Sequence, residues 1–77
     1  MYLSLNDLPI GSKAVVLSLK SSGNLRRRML DLGLVAGTTV EALLKSPCGD
    51  PIAYGIRGAV IALRGEDARA VLVECSD

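Results

Sequence analysis

The residues with chemistry to offer are three consecutive arginines (Arg26, Arg27 and Arg28), two cysteines (Cys48 and Cys75) and eight scattered acids; the 77-residue chain has no histidine. Histidine is the commonest general acid–base, and without it neither a Ser-His-Asp nor a Cys-His set can be assembled. The sequence also lacks a P-loop and a GxGxxG turn. Asp50, Glu66 and Asp67 are the candidate paired carboxylates, but they fall in turn-like stretches where solvated surface acids are the simpler reading. The chain is therefore read as a non-enzyme.

Metal chemistry is equally thin. Cys48 and Cys75 have no CxxC spacing, and zinc sites are built from close Cys and His sets; the two read as free thiols in a reducing compartment. A hard divalent ion accepts oxygen ligands alone. Asp7, Asp50, Glu66, Asp67 and Glu74 supply them, with Cys48 or Cys75 as a softer addition, but none is set at a ligand spacing. No metal residue is assigned.

The arginines are different. Leu25, Met29 and Leu32 recur at i, i+4 and i+7, the stripe of a helix that buries one face. Asn24 is the expected N-cap and Gly33 the left-handed residue that ends the helix, with Leu34 folding back onto Met29. In projection Arg26 and Arg28 flank the stripe, Arg27 points outward, and Leu30 falls outside it between Arg26 and Arg27. A helix start favours acids and its end favours bases, so three arginines early and Asp31 late run against the dipole. Solvation explains one or two arginines. An apolar side chain between arginines is also a common interface composition, and Arg26, Arg27, Arg28, Leu30 and Leu34 are taken as a candidate partner-binding surface. Asp31 is placed to pair with Arg27 or Arg28.

The elements that must hold this helix read as strands. Lys13 to Ser21 is apolar and β-branched, and Ser4 with Asp7 outlines one helical turn before it. Thr38 to Lys45 alternates, with Val40, Ala42 and Leu44 on one face. Ile52, Tyr54 and Ile56 share a side of the next strand, which Gly58 links tightly to Ala59–Arg64, where Ile61 and Leu63 point inward. One helical turn around Gly65–Ala70 leads into a closing strand at Val71–Glu74. Gly33, Gly37, Gly49, Asp50, Pro51 and Gly58 are the turn-shaping residues. This is one domain over residues 1–77, all-β: a small SH3-like barrel of about five strands with a short helix inserted after the first, closure removing the edges. An oligonucleotide-binding barrel places its helix later in the strand order.

Composition narrows the partners. A net charge of +1 and only two aromatics, Tyr2 and Tyr54, give neither the basic face nor the stacking platforms of a nucleic-acid binder. The same poverty leaves no aromatic groove for proline-rich peptides. The longest apolar run, Ala59–Leu63, is far too short to cross a bilayer. The first residues lack the basic start and apolar stretch of a signal peptide, so the protein is expected in the cytoplasm without membrane insertion. A homo-oligomer stays open.

The order of Leu32-Gly33, Ala36-Gly37, Gly49-Asp50-Pro51, Arg57-Gly58 and Ala62-Leu63-Arg64, after an opening with Leu5, Leu8 and Gly11, resembles the ferrous iron transport protein A family, FeoA, over nearly the whole chain. The resemblance implies an SH3-like barrel and a cytoplasmic accessory role that docks on and modulates FeoB, the ferrous iron transporter, through its GTPase-bearing portion. It implies as an alternative a module that binds a divalent ion such as Fe2+ or Mn2+, like the C-terminal SH3-like domain of metal-dependent repressors. Ala36 stands where the family carries proline, which leaves that turn without a preset φ. Gly55, inside a strand, points to a bulge or a close backbone approach.

Overall fold

The computed structural model describes residues 1–75. Its elements are β1 (Tyr2–Ser4), a 3-10 turn (Leu5–Asp7), β2 (Lys13–Leu19), α1 (Gly23–Asp31), β3 (Thr39–Lys45), β4 (Ile52–Ile56), β5 (Ala59–Leu63), α2 (Gly65–Ala68) and β6 (Val71–Glu74). All strands join one antiparallel sheet in the order β1-β6-β2-β3-β4-β5. The expected helix does follow the first long strand. The short β1 was not expected: three residues are too few to show a period of two, and its pairing with β6 defines it.

Alternation builds the core. Ile52, Tyr54 and Ile56 are buried while Ala53 and Gly55 are half-buried, and Ala14 with Val16 does the same on β2. The inward residues of β2 to β6 join Leu5, Leu8, Met29, Leu34 and Ala68 in one cluster. A flat sheet of six strands would spread over about 24 Å and could not gather these side chains, so the sheet curls around them. The result is barrel-like but open: among the described residues β1 and β5 pair with no strand beyond their one neighbour. The expected closure is therefore incomplete, and β5 keeps a free edge.

Two bulges correct the expected faces. Ala42 pairs with Tyr54 and Leu44 with Ala53, which leaves Leu43 as the extra residue on β3. An extra residue reverses the parity of everything beyond it. Leu44 is thus 66% exposed rather than inward with Val40 and Ala42. Gly55 belongs to the same feature: a Cβ there would lie 3.2 Å from Leu43 Cδ1, so its absence lets Leu43 lie across β4. The second bulge, at Leu17 on β2, sits opposite Val73 and Leu72.

Candidate partner-docking site

Helix α1 ends as its sequence suggests. Gly33 has φ +103; its N–H donates to the Leu30 carbonyl and the Leu34 N–H to the Met29 carbonyl, each at 3.0 Å. These are the two bonds of a Schellman ending, which satisfies carbonyls the helix cannot. Leu34 is thereby carried into the core beside Met29, 0% and 1% exposed. That removes Leu34 from the candidate partner surface. Leu32, expected in the buried stripe, is instead exposed, because the chain leaves the helix there before the stripe reaches the core.

The start of the helix also differs. It begins at Gly23 (φ +66), with Ser22 rather than Asn24 as the extended capping residue, and no side chain caps it. The arginines therefore occupy its middle, and Arg28 falls in the last turn, where a positive charge suits the dipole. The opposition between charge and dipole is much weaker than expected. Asp31 pairs with neither Arg27 nor Arg28; the ion pair among the described residues is Arg64 with Asp50.

What remains is a surface. Arg26, Arg27, Leu30, Asp31 and Gly23 line an open concavity of about 380 Å³ on the outward face of α1. Arg26 is held there, its Nη1 donating to the Leu19 carbonyl at 3.3 Å. Leu30 is 38% exposed as expected. Arg28 is exposed but does not line the concavity.

The turn residues fall into two groups. Gly33, Gly37 and Gly58 gather at the exit of α1. Thr38 N–H donates to the Val35 carbonyl at 3.1 Å with Gly37 at φ +92, a type II turn with Ala36 at its first central position. Arg57 and Gly58 both have positive φ, 52° and 81°, which makes the β4–β5 link a two-residue type I′ hairpin. Arg57 Nη2 donates to Thr38 Oγ1 at 3.3 Å and so joins the two turns. A Cβ on Gly33 would stand 3.1 Å from Ile56 Cγ2.

Gly49, Asp50 and Pro51 are the second half of the β3–β4 link, which runs over residues 46–51. Asp50 does more than turn the chain: its Oδ1 accepts from the Gly65 N–H at 2.6 Å, which ties that link to the start of α2. No local pattern signals this tie, since the partners lie fifteen residues apart. Tyr54, fully buried, donates from its hydroxyl to the Leu5 carbonyl at 3.2 Å. Burial first, then the carboxylates of Asp50 and Asp7, push its pKa up to about 12.

Among the described residues no three Cys, Asp or Glu side chains come together to hold a metal ion. Cys48 is exposed, Cys75 is buried, and both are free. Asp50 is already engaged with Gly65 and Arg64. The donors among the described residues do not fit a resident Fe2+ or Mn2+. No helix among the described residues is long and apolar enough to cross a membrane.

The family model of the FeoA domain matches residues 3–75. The chain is 35% identical over 72 residues to an Fe(2+) transport protein A/Fe(2+) transporter FeoB fusion protein of Porphyromonas gingivalis; the match covers 94% of this chain and 8% of that protein. A FeoA-like protein of Clostridium acetobutylicum superimposes with a TM-score of 0.88 at 38% identity, over 96% of this chain and 86% of that one. A Stenotrophomonas maltophilia FeoA solved with zinc, described as a prokaryotic SH3 domain protein, gives 0.84 at 32% identity over 94% and 89%.

Proposed function

Because the chain belongs to the FeoA domain family, we propose that it is a non-enzymatic accessory module of ferrous iron transport that docks on the cytoplasmic, GTPase-bearing portion of FeoB and modulates uptake. The observation that carries this reading is the Porphyromonas relative, in which a segment like this chain and a FeoB transporter are one protein. Fusion supplies a high effective concentration through the linker. Docking needs a surface, and the outward face of α1 is the candidate: Leu30 as apolar anchor between Arg26 and Arg27.

Arginine beside an apolar anchor suits a partner with acidic groups around a small apolar pocket. Arg27 is the freer of the two, since Arg26 already donates to Leu19. The test is a titration of the chain against the cytoplasmic portion of FeoB. Arg26→Glu with Arg27→Glu should weaken binding by about tenfold or more with thermal unfolding little changed. Unchanged affinity would overturn this surface.

A second reading, a module responsive to a divalent ion, is favoured by the zinc in the Stenotrophomonas structure. The dispersed acids give it little support. Anaerobic calorimetric titration with Fe2+ or Mn2+ separates the two, and a saturable heat at submillimolar metal would favour the second.

A further inference from the structure

The sheet has two ends, and they are unlike. β1 is three residues long, and a short edge gives little to pair with. β5 runs five residues, Ala59–Leu63, in unbroken register with β4, without a bulge, a proline or a charged side chain. Those are the devices that commonly protect an edge, and β5 has none of them.

The hairpin fixes which groups face outward. In a two-residue hairpin the residues flanking the turn, Ile56 and Ala59, are the closely hydrogen-bonded pair. Bonded and non-bonded pairs then alternate, so Ala59, Ile61 and Leu63 direct N–H and C=O toward β4. Val60 and Ala62 direct theirs away from it. Among the described residues no strand pairs with β5 on that side, and no turn, loop or side-chain hydrogen bond uses these four groups. Both side chains are exposed, Val60 by 68%, while Ile61 and Leu63 face the core. Beside Val60, an open concavity on the outer face of the sheet is lined by Lys13, Glu41, Leu43, Gly55 and Arg57.

We propose that the free edge of β5 is a strand-addition site, which takes an extended segment of a partner polypeptide with small or β-branched residues along its middle and acidic residues at its ends. The backbone groups of Val60 and Ala62 supply the hydrogen bonds, and their side chains supply the alternate apolar contacts. Charge selects the occupant. The edge is bracketed by Arg57, one residue away across Gly58, and by Arg64 immediately after it, both exposed; Arg57 gives one guanidinium N–H to Thr38 Oγ1 and keeps the others. Arg64 has only a solvent-exposed contact with Asp50 at 3.7 Å, which leaves it open to a second carboxylate. A second copy of this chain fits poorly. Antiparallel pairing with Val60 opposite Ala62 sets Arg64 of each copy opposite Gly58, next to Arg57 of the other, and like charges across a ladder are destabilising.

The test uses an N-acetylated, C-amidated heptapeptide with valine at alternate positions, serine between them and glutamate at both ends. Amide hydrogen exchange is followed on the full chain. Bound peptide should slow exchange at Val60 and Ala62 by about tenfold or more, and the same peptide ending in lysine should bind at least about tenfold more weakly. Ala62→Pro removes one outward N–H at a position where an edge strand tolerates proline, and should abolish binding. Should that variant fail to fold, Arg64→Glu removes no backbone hydrogen bond and should abolish the advantage of the glutamate peptide over the lysine peptide. Equal binding of both peptides to the wild type, or binding without protection at Val60 and Ala62, would overturn the proposal. So would concentration-dependent protection of these amides without peptide, which would assign the edge to a second copy. The proposal does not rest on the α1 surface: Arg26→Glu with Arg27→Glu should leave this binding unchanged.

Discussion

At the scale of single residues, the turn after α1 sets two positions in opposition. Gly33 sits at φ +103, with Ile56 Cγ2 at 3.1 Å from where a Cβ would stand, and Ile56 is buried and cannot retreat. Ala36, three residues on, holds the first central position of the Gly37 turn, where proline's fixed φ near −65° is favoured. The Ala36 N–H takes part in none of the backbone bonds of this turn. Gly33→Ala should therefore cost about 2 kcal/mol, combining left-handed strain with the close contact. Ala36→Pro should add about 0.4–1 kcal/mol by restricting the unfolded chain. Urea denaturation of both variants checks this, and a shared direction of change would contradict the turn assignment. The glycine was legible from its place after a helical stripe. The left-handed Arg57 was less so, because only the brevity of the link between two strand-like runs signals a type I′ turn.

At the scale of elements, the long alternating strands and the helix between them could be read directly, because burial on one face imposes the period of two or of 3.6. Reading failed where an element is defined by its neighbour. β1 exists by pairing with β6, and the reversal of Leu44 follows from one extra residue on β3. The start of α1, two residues earlier than Leu25, moved the arginines away from the positive end of the dipole. Asp50 makes the same point for α2, a four-residue helix whose first N–H is satisfied from the β3–β4 link. Asp50→Ala should cost about 0.5–1.5 kcal/mol, the range for a lost helix-terminal or charged hydrogen bond at an exposed site. Hydrogen exchange should localise the loss to Gly65 and the residues that follow it. A uniform loss across the sheet would mean that the tie is incidental to α2.

At the scale of the whole molecule, an aliphatic core with one aromatic, Tyr2 being exposed, leaves one large side chain at its centre. Tyr54 is the largest fully buried residue. Its hydroxyl joins β4 to the 3-10 turn across 49 residues of sequence, so it fastens the chain's opening segment to the far side of the sheet. Strand alternation revealed that Tyr54 faces inward, but not the carbonyl it would find there. A phenol with its folded pKa pushed up to about 12 ionises more easily in the unfolded chain, where the value is near 10. Its stabilising contribution is complete below pH 10. It falls as pH rises from 10 toward 12, because the unfolded state releases the proton first. The loss across that window is roughly 2–3 kcal/mol. Tyr54→Phe gives up the bond to Leu5, about 1 kcal/mol at neutral pH, but carries no ionisable group. Urea denaturation of both proteins at pH 8, 10, 11 and 12 should show the wild type the more stable at pH 8 and the variant the more stable at pH 12. The other alkaline titrations are common to both and cancel in the difference. Parallel stability curves would mean that the hydroxyl is solvated rather than sealed in the core.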